Sequence, residues 1–138
     1  MTITAYTDGA SRGNPGESGY GFLLRDEQGT VLHTEYGYLG QATNNIAEYR
    51  ALIACLHKVR GMNCTRLVVH SDSELMVRQM NGSYRVKDPN LRKLYQEVRL
   101  LLHAAAFTFE ISHVEREMNK EADRLANEGI DSKHTVAV

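Results

Sequence analysis

Four carboxylates stand where a fold could gather them. Asp8 closes the segment 2–8 (TITAYTD), and Asp72 follows the apolar run Leu67-Val68-Val69. Glu48 precedes Leu52 by four residues, on the apolar face of a helical pattern, and Asp123 lies early in the last helical pattern beside Ala122 and Ala126. Two adjacent parallel strands would carry Asp8 and Asp72 to the carboxyl edge of a sheet, where open α/β folds place their sites. Converging carboxylates repel one another unless cations neutralise them, and an acid on an apolar helix face must be paired, capped or coordinated. All-oxygen ligands suit hard Mg²⁺ or Mn²⁺ rather than zinc. Two such ions about 4 Å apart activate water and stabilise the leaving oxygen of a phosphodiester. Each acid also has an ordinary reading. Asp8 could open a turn with Gly9, Glu48 could close a capping box with Asn45, Asp72 could favour a helix N-terminus, and Asp123 could pair with Arg124. None of these explains why all four fall at positions that can converge.

The elements around them follow from periodicity. Segments 2–8 and 19–26 read as strands joined by a Gly-rich turn, GASRGNPGES, and a third strand runs from residue 30 to about 39, giving an antiparallel meander. Leu52, Cys55, Leu56 and Val59 lie at i, i+3, i+4, i+7, so 45–60 is a helix stopped by Gly61. Residues 66–70 form a short buried strand, and Ser71 with Glu74 resembles a capping box for a helix to about Asn81. Asp88-Pro89 opens an amphipathic helix whose inner face is Leu91, Leu94, Tyr95, Val98, Leu101 and Leu102. A strand at 107–114 and a helix at 119–128, ended by Gly129, complete the order β-β-β-α-β-α-α-β-α. The fold class is therefore α/β, a five-stranded mixed sheet with helices on both faces. One domain over 1–129 and a loose tail over 130–138 are expected.

Composition narrows the classes. The chain has 138 residues, enough for one domain with a core. No apolar run is long enough to span a bilayer, so a cytoplasmic, membrane-free protein is expected, working as a monomer without an evident protein partner. Cys55 and Cys64 form no C-x-x-C and read as free thiols. The formal net charge of −1 is low for a nucleic-acid binder, but setting four metal-neutralised carboxylates aside leaves +3. The Gly-rich stretch has no G-x-x-x-x-G-K-[ST] and leads into a strand, which excludes a phosphate-cradling nucleotide loop. Arg85, Lys87, Arg92 and Lys93 read equally as a solvated face or as a basic strip for a DNA backbone.

Tyr6-Thr7-Asp8-Gly9-Ala10-Ser11-Arg12-Gly13-Asn14-Pro15-Gly16 resembles the opening signature of type 1 ribonucleases H. Thr43-Asn44-Asn45-Ile46-Ala47-Glu48, Ser71-Asp72-Ser73 and Asn119-Lys120-Glu121-Ala122-Asp123-Arg124-Leu125-Ala126 match later blocks of the same family, in family order across essentially the whole chain. The resemblance implies the ribonuclease H-like fold and endonucleolytic hydrolysis of the RNA strand of an RNA–DNA hybrid, leaving 5′-phosphate and 3′-hydroxyl ends. It implies two Mg²⁺ or Mn²⁺ ions per site with substrate, held by Asp8, Glu48, Asp72 and Asp123. It puts Asn14 and Asn44 against the RNA strand in the minor groove, Thr43 on a DNA phosphate, and Glu74 at a substrate-contact position where a Gln is common. The alternative is a non-catalytic nucleic-acid-binding module on the same fold.

The chain departs from many relatives. It has no Trp and no basic protrusion at 81–87, and its short segment 115–118 lacks the loop histidine that assists turnover. Gln41 stands where an Arg is common. The pattern resembles the compact archaeal and bacterial subgroup.

Overall fold

A computed structural model describes residues 1–134. Strands β1 (Thr2–Gly13), β2 (Gly16–Arg25) and β3 (Val31–Ala42) form the meander. Helix α1 (Asn44–Arg60), strand β4 (Arg66–Ser71), helices α2 (Glu74–Met80) and α3 (Pro89–His103), strand β5 (Thr108–His113) and helix α4 (Lys120–Asp131) follow. The five strands lie in the order β3-β2-β1-β4-β5. β1 and β2, and β2 and β3, are antiparallel, whereas β4 is parallel to both β1 and β5. The expected mixed sheet with helices on both faces is what forms.

Alternation along β2 assigns the two faces. Phe22 and Leu24 point into the main core with Ile3, Ala5, Leu67 and Val69 from the sheet and Tyr49, Leu52, Leu56 and Val59 from α1. Leu23 points the other way, onto Ala122 and Leu125 of α4. Each large apolar side chain buried this way contributes about 1.5–3 kcal/mol. Helix α3 adds Leu91, Val98 and Leu101 to the core, with Leu94, Tyr95 and Leu102 partly covered beside them. Asp88 caps it as expected, accepting from the amides of Asn90 and Leu91. α4 can approach the sheet only because Gly21 has no side chain. A Cβ there would lie 2.5 Å from the Leu125 Cβ and from the Ala126 nitrogen.

Several expected boundaries move. Most of the Gly-rich stretch is strand, not turn, because Gly9 through Gly13 pair in register with Tyr20 back to Gly16. The cap of α2 is Ser73, not Ser71: its hydroxyl accepts from the Met76 amide, and Ser71 instead accepts from the Ser73 amide. Glu74 is the helix's first residue and pairs with Arg78 at 3.0 Å, so no capping box forms. Gly129 does not end α4. It packs inside the helix against the backbone of Gly37, and the next residue, Ile130, is fully buried. Within the span expected as tail, α4 continues to Asp131 and the 3₁₀ turn Ser132–His134 follows, while residues 135–138 lie outside the described residues. Cys55 and Cys64 are free and buried. Among the described residues no helix is long and apolar enough to cross a membrane.

Candidate metal centre and nucleic-acid interface

The parallel pairing of β1 with β4 matches Thr7 to Ser71, so Asp8 and Asp72 each follow the same rung. α1 delivers Glu48 from above. Gly9 makes this possible, because a Cβ there would lie 2.1 Å from the Ala47 carbonyl carbon. With the strand and helix backbones this close, the Gly9 amide donates to Glu48 Oε1 at 2.9 Å. Asp8, Glu48 and Asp72 each offer a carboxylate oxygen, and these atoms lie within 4.8 Å of one another. Asp123, from the start of α4, lines the same open cleft of about 450 Å³ with Asn44, Arg116 and Asn127. The four sequence-predicted acids thus share one cleft, three of them at ligand spacing.

Asp8 is 4 % exposed and Glu48 7 %, which makes charge expensive at both. Burial pushes the Asp8 carboxyl well above the usual range, and the charges of Glu48, Asp72 and Asp123 push it further. Glu48 is raised by burial and by Asp72, while its bond from the Gly9 amide and the Arg116 charge oppose the rise. Without a cation the pair therefore favours protons. The oxygen-only donors, their spacing and their unmet negative charge fit a hard divalent cation.

These shifts bear on Glu48→Gln. The variant keeps an oxygen to accept from Gly9 and removes the cost of a buried charge. At pH 7–8 the metal-free variant is expected to melt at the same temperature as wild type or higher, while metal-dependent activity is lost. A clearly lower melting temperature would mark Glu48 as a structural acid.

Of the four expected substrate contacts, Asn14, Thr43 and Asn44 lie side by side. Asn14 and Asn44 are exposed, and the Asn44 amide donates to Asn14 Oδ1 at 3.1 Å. Thr43 caps α1, its hydroxyl oxygen accepting from the Ile46 amide at 3.2 Å. Asn14 and Thr43 line a smaller recess of about 200 Å³ with Asn90. Glu74 does not line the acid cleft; it stays in its exposed pair with Arg78.

Sequence reasoning missed Arg116, Asn119 and Asn90. Arg116 sits on the 3₁₀ turn Arg116–Met118, in a segment read only as a short charged loop. Asn119 is 1 % exposed, and its burial beside Asp72 was signalled only by its place four residues before Asp123. Asn90 is set beside Thr43 by the folding of α3 against α1, which no local pattern reveals.

Residues 6–129 match a family described as reverse transcriptase-like. A bifunctional protein of Mycobacterium tuberculosis is 42 % identical over 134 residues, which is 96 % of this chain but only 36 % of that protein. The chain thus spans about a third of that relative's length. A protein named ribonuclease H from Methylococcus capsulatus is 35 % identical over 144 residues, covering 94 % of this chain and 90 % of its own. Among solved structures, LC11-RNase H1 in complex with RNA/DNA hybrid superposes with a TM-score of 0.90 at 40 % identity, covering 95 % of this chain and 98 % of that one.

Proposed function

The chain belongs to the type 1 ribonuclease H family, and from that premise we propose that it is an endonuclease hydrolysing the RNA strand of RNA–DNA hybrids. The observation that carries this reading is the cleft in which Asp8, Glu48 and Asp72 meet at ligand spacing, with Asp123 alongside. These acids would hold Mg²⁺ or Mn²⁺, two ions with substrate present, which when bound supply Lewis-acid activation of water and stabilisation of the leaving 3′-oxygen.

The chain's own groups do the rest. The exposed amides of Asn14 and Asn44 can bond the 2′-hydroxyl, the group that distinguishes RNA from DNA. The Thr43 oxygen already accepts from Ile46, so its hydroxyl hydrogen is free to donate to a DNA phosphate in the recess shared with Asn90. The cleft is complete within one chain, so a monomer suffices.

The test is incubation with hybrid labelled on the RNA strand, in Mg²⁺ and in excess chelator, beside RNA–RNA and DNA–DNA duplexes of the same sequence. Cleavage of the hybrid's RNA strand, lost in chelator, is expected. Undiminished cleavage in chelator overturns the metal reading. Hybrid binding without any cleavage identifies a non-catalytic module.

Arg116 supplies a further outcome. It is exposed, lines the cleft and is close enough to lower the proton affinity of Glu48. It is a cation placed to meet phosphate charge beside the acids. Arg116→Ala should lower kcat about 10- to 100-fold with little change in hybrid KM, and Arg116→Lys should recover part of it. An unchanged kcat would make Arg116 a bystander.

A further inference from the structure

Asn119 immediately precedes α4, in the position whose side chain ordinarily caps a helix, yet it makes no cap bond. An Asn there normally accepts from an amide of the first turn, worth about 1 kcal/mol. Here the carboxamide turns inward and is 1 % exposed. Its Nδ2 donates to the Thr7 carbonyl at 2.9 Å and to Asp72 Oδ2 at 3.3 Å. Its backbone carbonyl accepts from the Asp123 amide at 3.0 Å. One residue therefore bonds the main chain just before Asp8, the carboxylate of Asp72 and the main chain of Asp123. Two acceptors on Nδ2 fix the amide's orientation, leaving Oδ1 buried without a protein partner. α4 forgoes its cap, and a buried carbonyl goes unmet, in order to keep these bonds.

We infer that Asn119 is a positioning residue: it ties β1, β4 and α4 together at their acid-bearing ends and so presets the spacing of Asp8, Asp72 and Asp123 before a cation arrives. This rests on the proposed metal reading of the cleft. Groups that orient metal ligands typically change metal affinity or activity 10- to 100-fold when removed.

The experiment measures Mn²⁺ binding to the full chain by calorimetry, with the melting temperature and the kcat and KM for hybrid cleavage. Asn119→Ser is the informative variant. Serine is a strong cap, so α4 regains its missing bond and the fold is retained, but the short hydroxyl cannot span from Thr7 to Asp72. Mn²⁺ affinity should fall at least about tenfold, with kcat reduced and KM unchanged. Asn119→Ala should weaken Mn²⁺ to the same degree. Val98→Ala, a cavity in the fully buried part of α3, should lower the melting temperature yet leave Mn²⁺ affinity intact. Wild-type Mn²⁺ affinity in Asn119→Ser would overturn the positioning role. If wild type itself binds no Mn²⁺, the metal reading falls, and the positioning role with it.

Discussion

Asp8→Asn is expected to abolish hybrid cleavage and to raise the melting temperature of the metal-free protein. Asp8 faces three other acids and is nearly buried, so holding its carboxylate charged without a cation is costly. An amide of the same shape removes that repulsion and the desolvation cost, which stabilises the apo fold. The same change deletes the anion on which a bridging cation would depend. A loss on the order of 10³-fold or more is expected, about 4 kcal/mol of transition-state stabilisation, within the several kcal/mol that Lewis-acid stabilisation supplies. Melting curves and single-turnover rates on one preparation decide the matter. A turn-forming Asp8 would give the opposite pair of results, lower stability with activity kept.

The second large effect is a stability that falls with rising pH and is rescued by divalent cations. Asp8 and Glu48 have folded pKa values raised above those of the unfolded chain. The folded metal-free state therefore binds more protons than the unfolded state above about pH 4. The stabilisation from those protons is complete below the unfolded values and is lost as pH climbs toward the folded ones. Each such group removes up to about 1.4 kcal/mol per pH unit across that window. Apo melting temperature should accordingly decline from pH 5 to pH 8. Added Mg²⁺ or Mn²⁺ replaces the protons, so it should restore stability most at pH 8 and least at pH 5. Equal metal stabilisation at both pH values would count against these acids as the ligands.

Much of this was readable from residue order. The 3.6-residue period of α1 and α3, the Asp88-Pro89 start and the strand alternation report local backbone and burial, so they predicted elements and faces correctly. The acids were legible because Asp8 and Asp72 end strand patterns while Glu48 and Asp123 sit on or beside the inner face of helical ones. What stayed hidden was non-local. Gly13 does turn the hairpin, at φ +109°, but Gly9 and Gly16, which also look like turn formers, lack side chains for close packing in a long hairpin whose pairing depends on the opposite strand. Gly129 looks like a helix stop, yet Gly37 on β3 receives it face to face. Arg116 and Asn119 acquire their roles only where the segment leading into α4 docks beside Asp72 and the cleft.

The order of the elements also sets a clock. The acids come from residues 8, 48, 72 and 123, and the last of them arrives on the final long helix. During synthesis, which proceeds at roughly 5–20 residues per second, strands β1 to β4 and α1 can emerge from the ribosome well before α4 does. Until α4 docks against β1 and β2, the emerging polypeptide has three acids but neither Asp123 nor the Asn119 tether. The four-acid cleft is therefore expected to be complete only once the residues beyond Asp123 have cleared the exit tunnel.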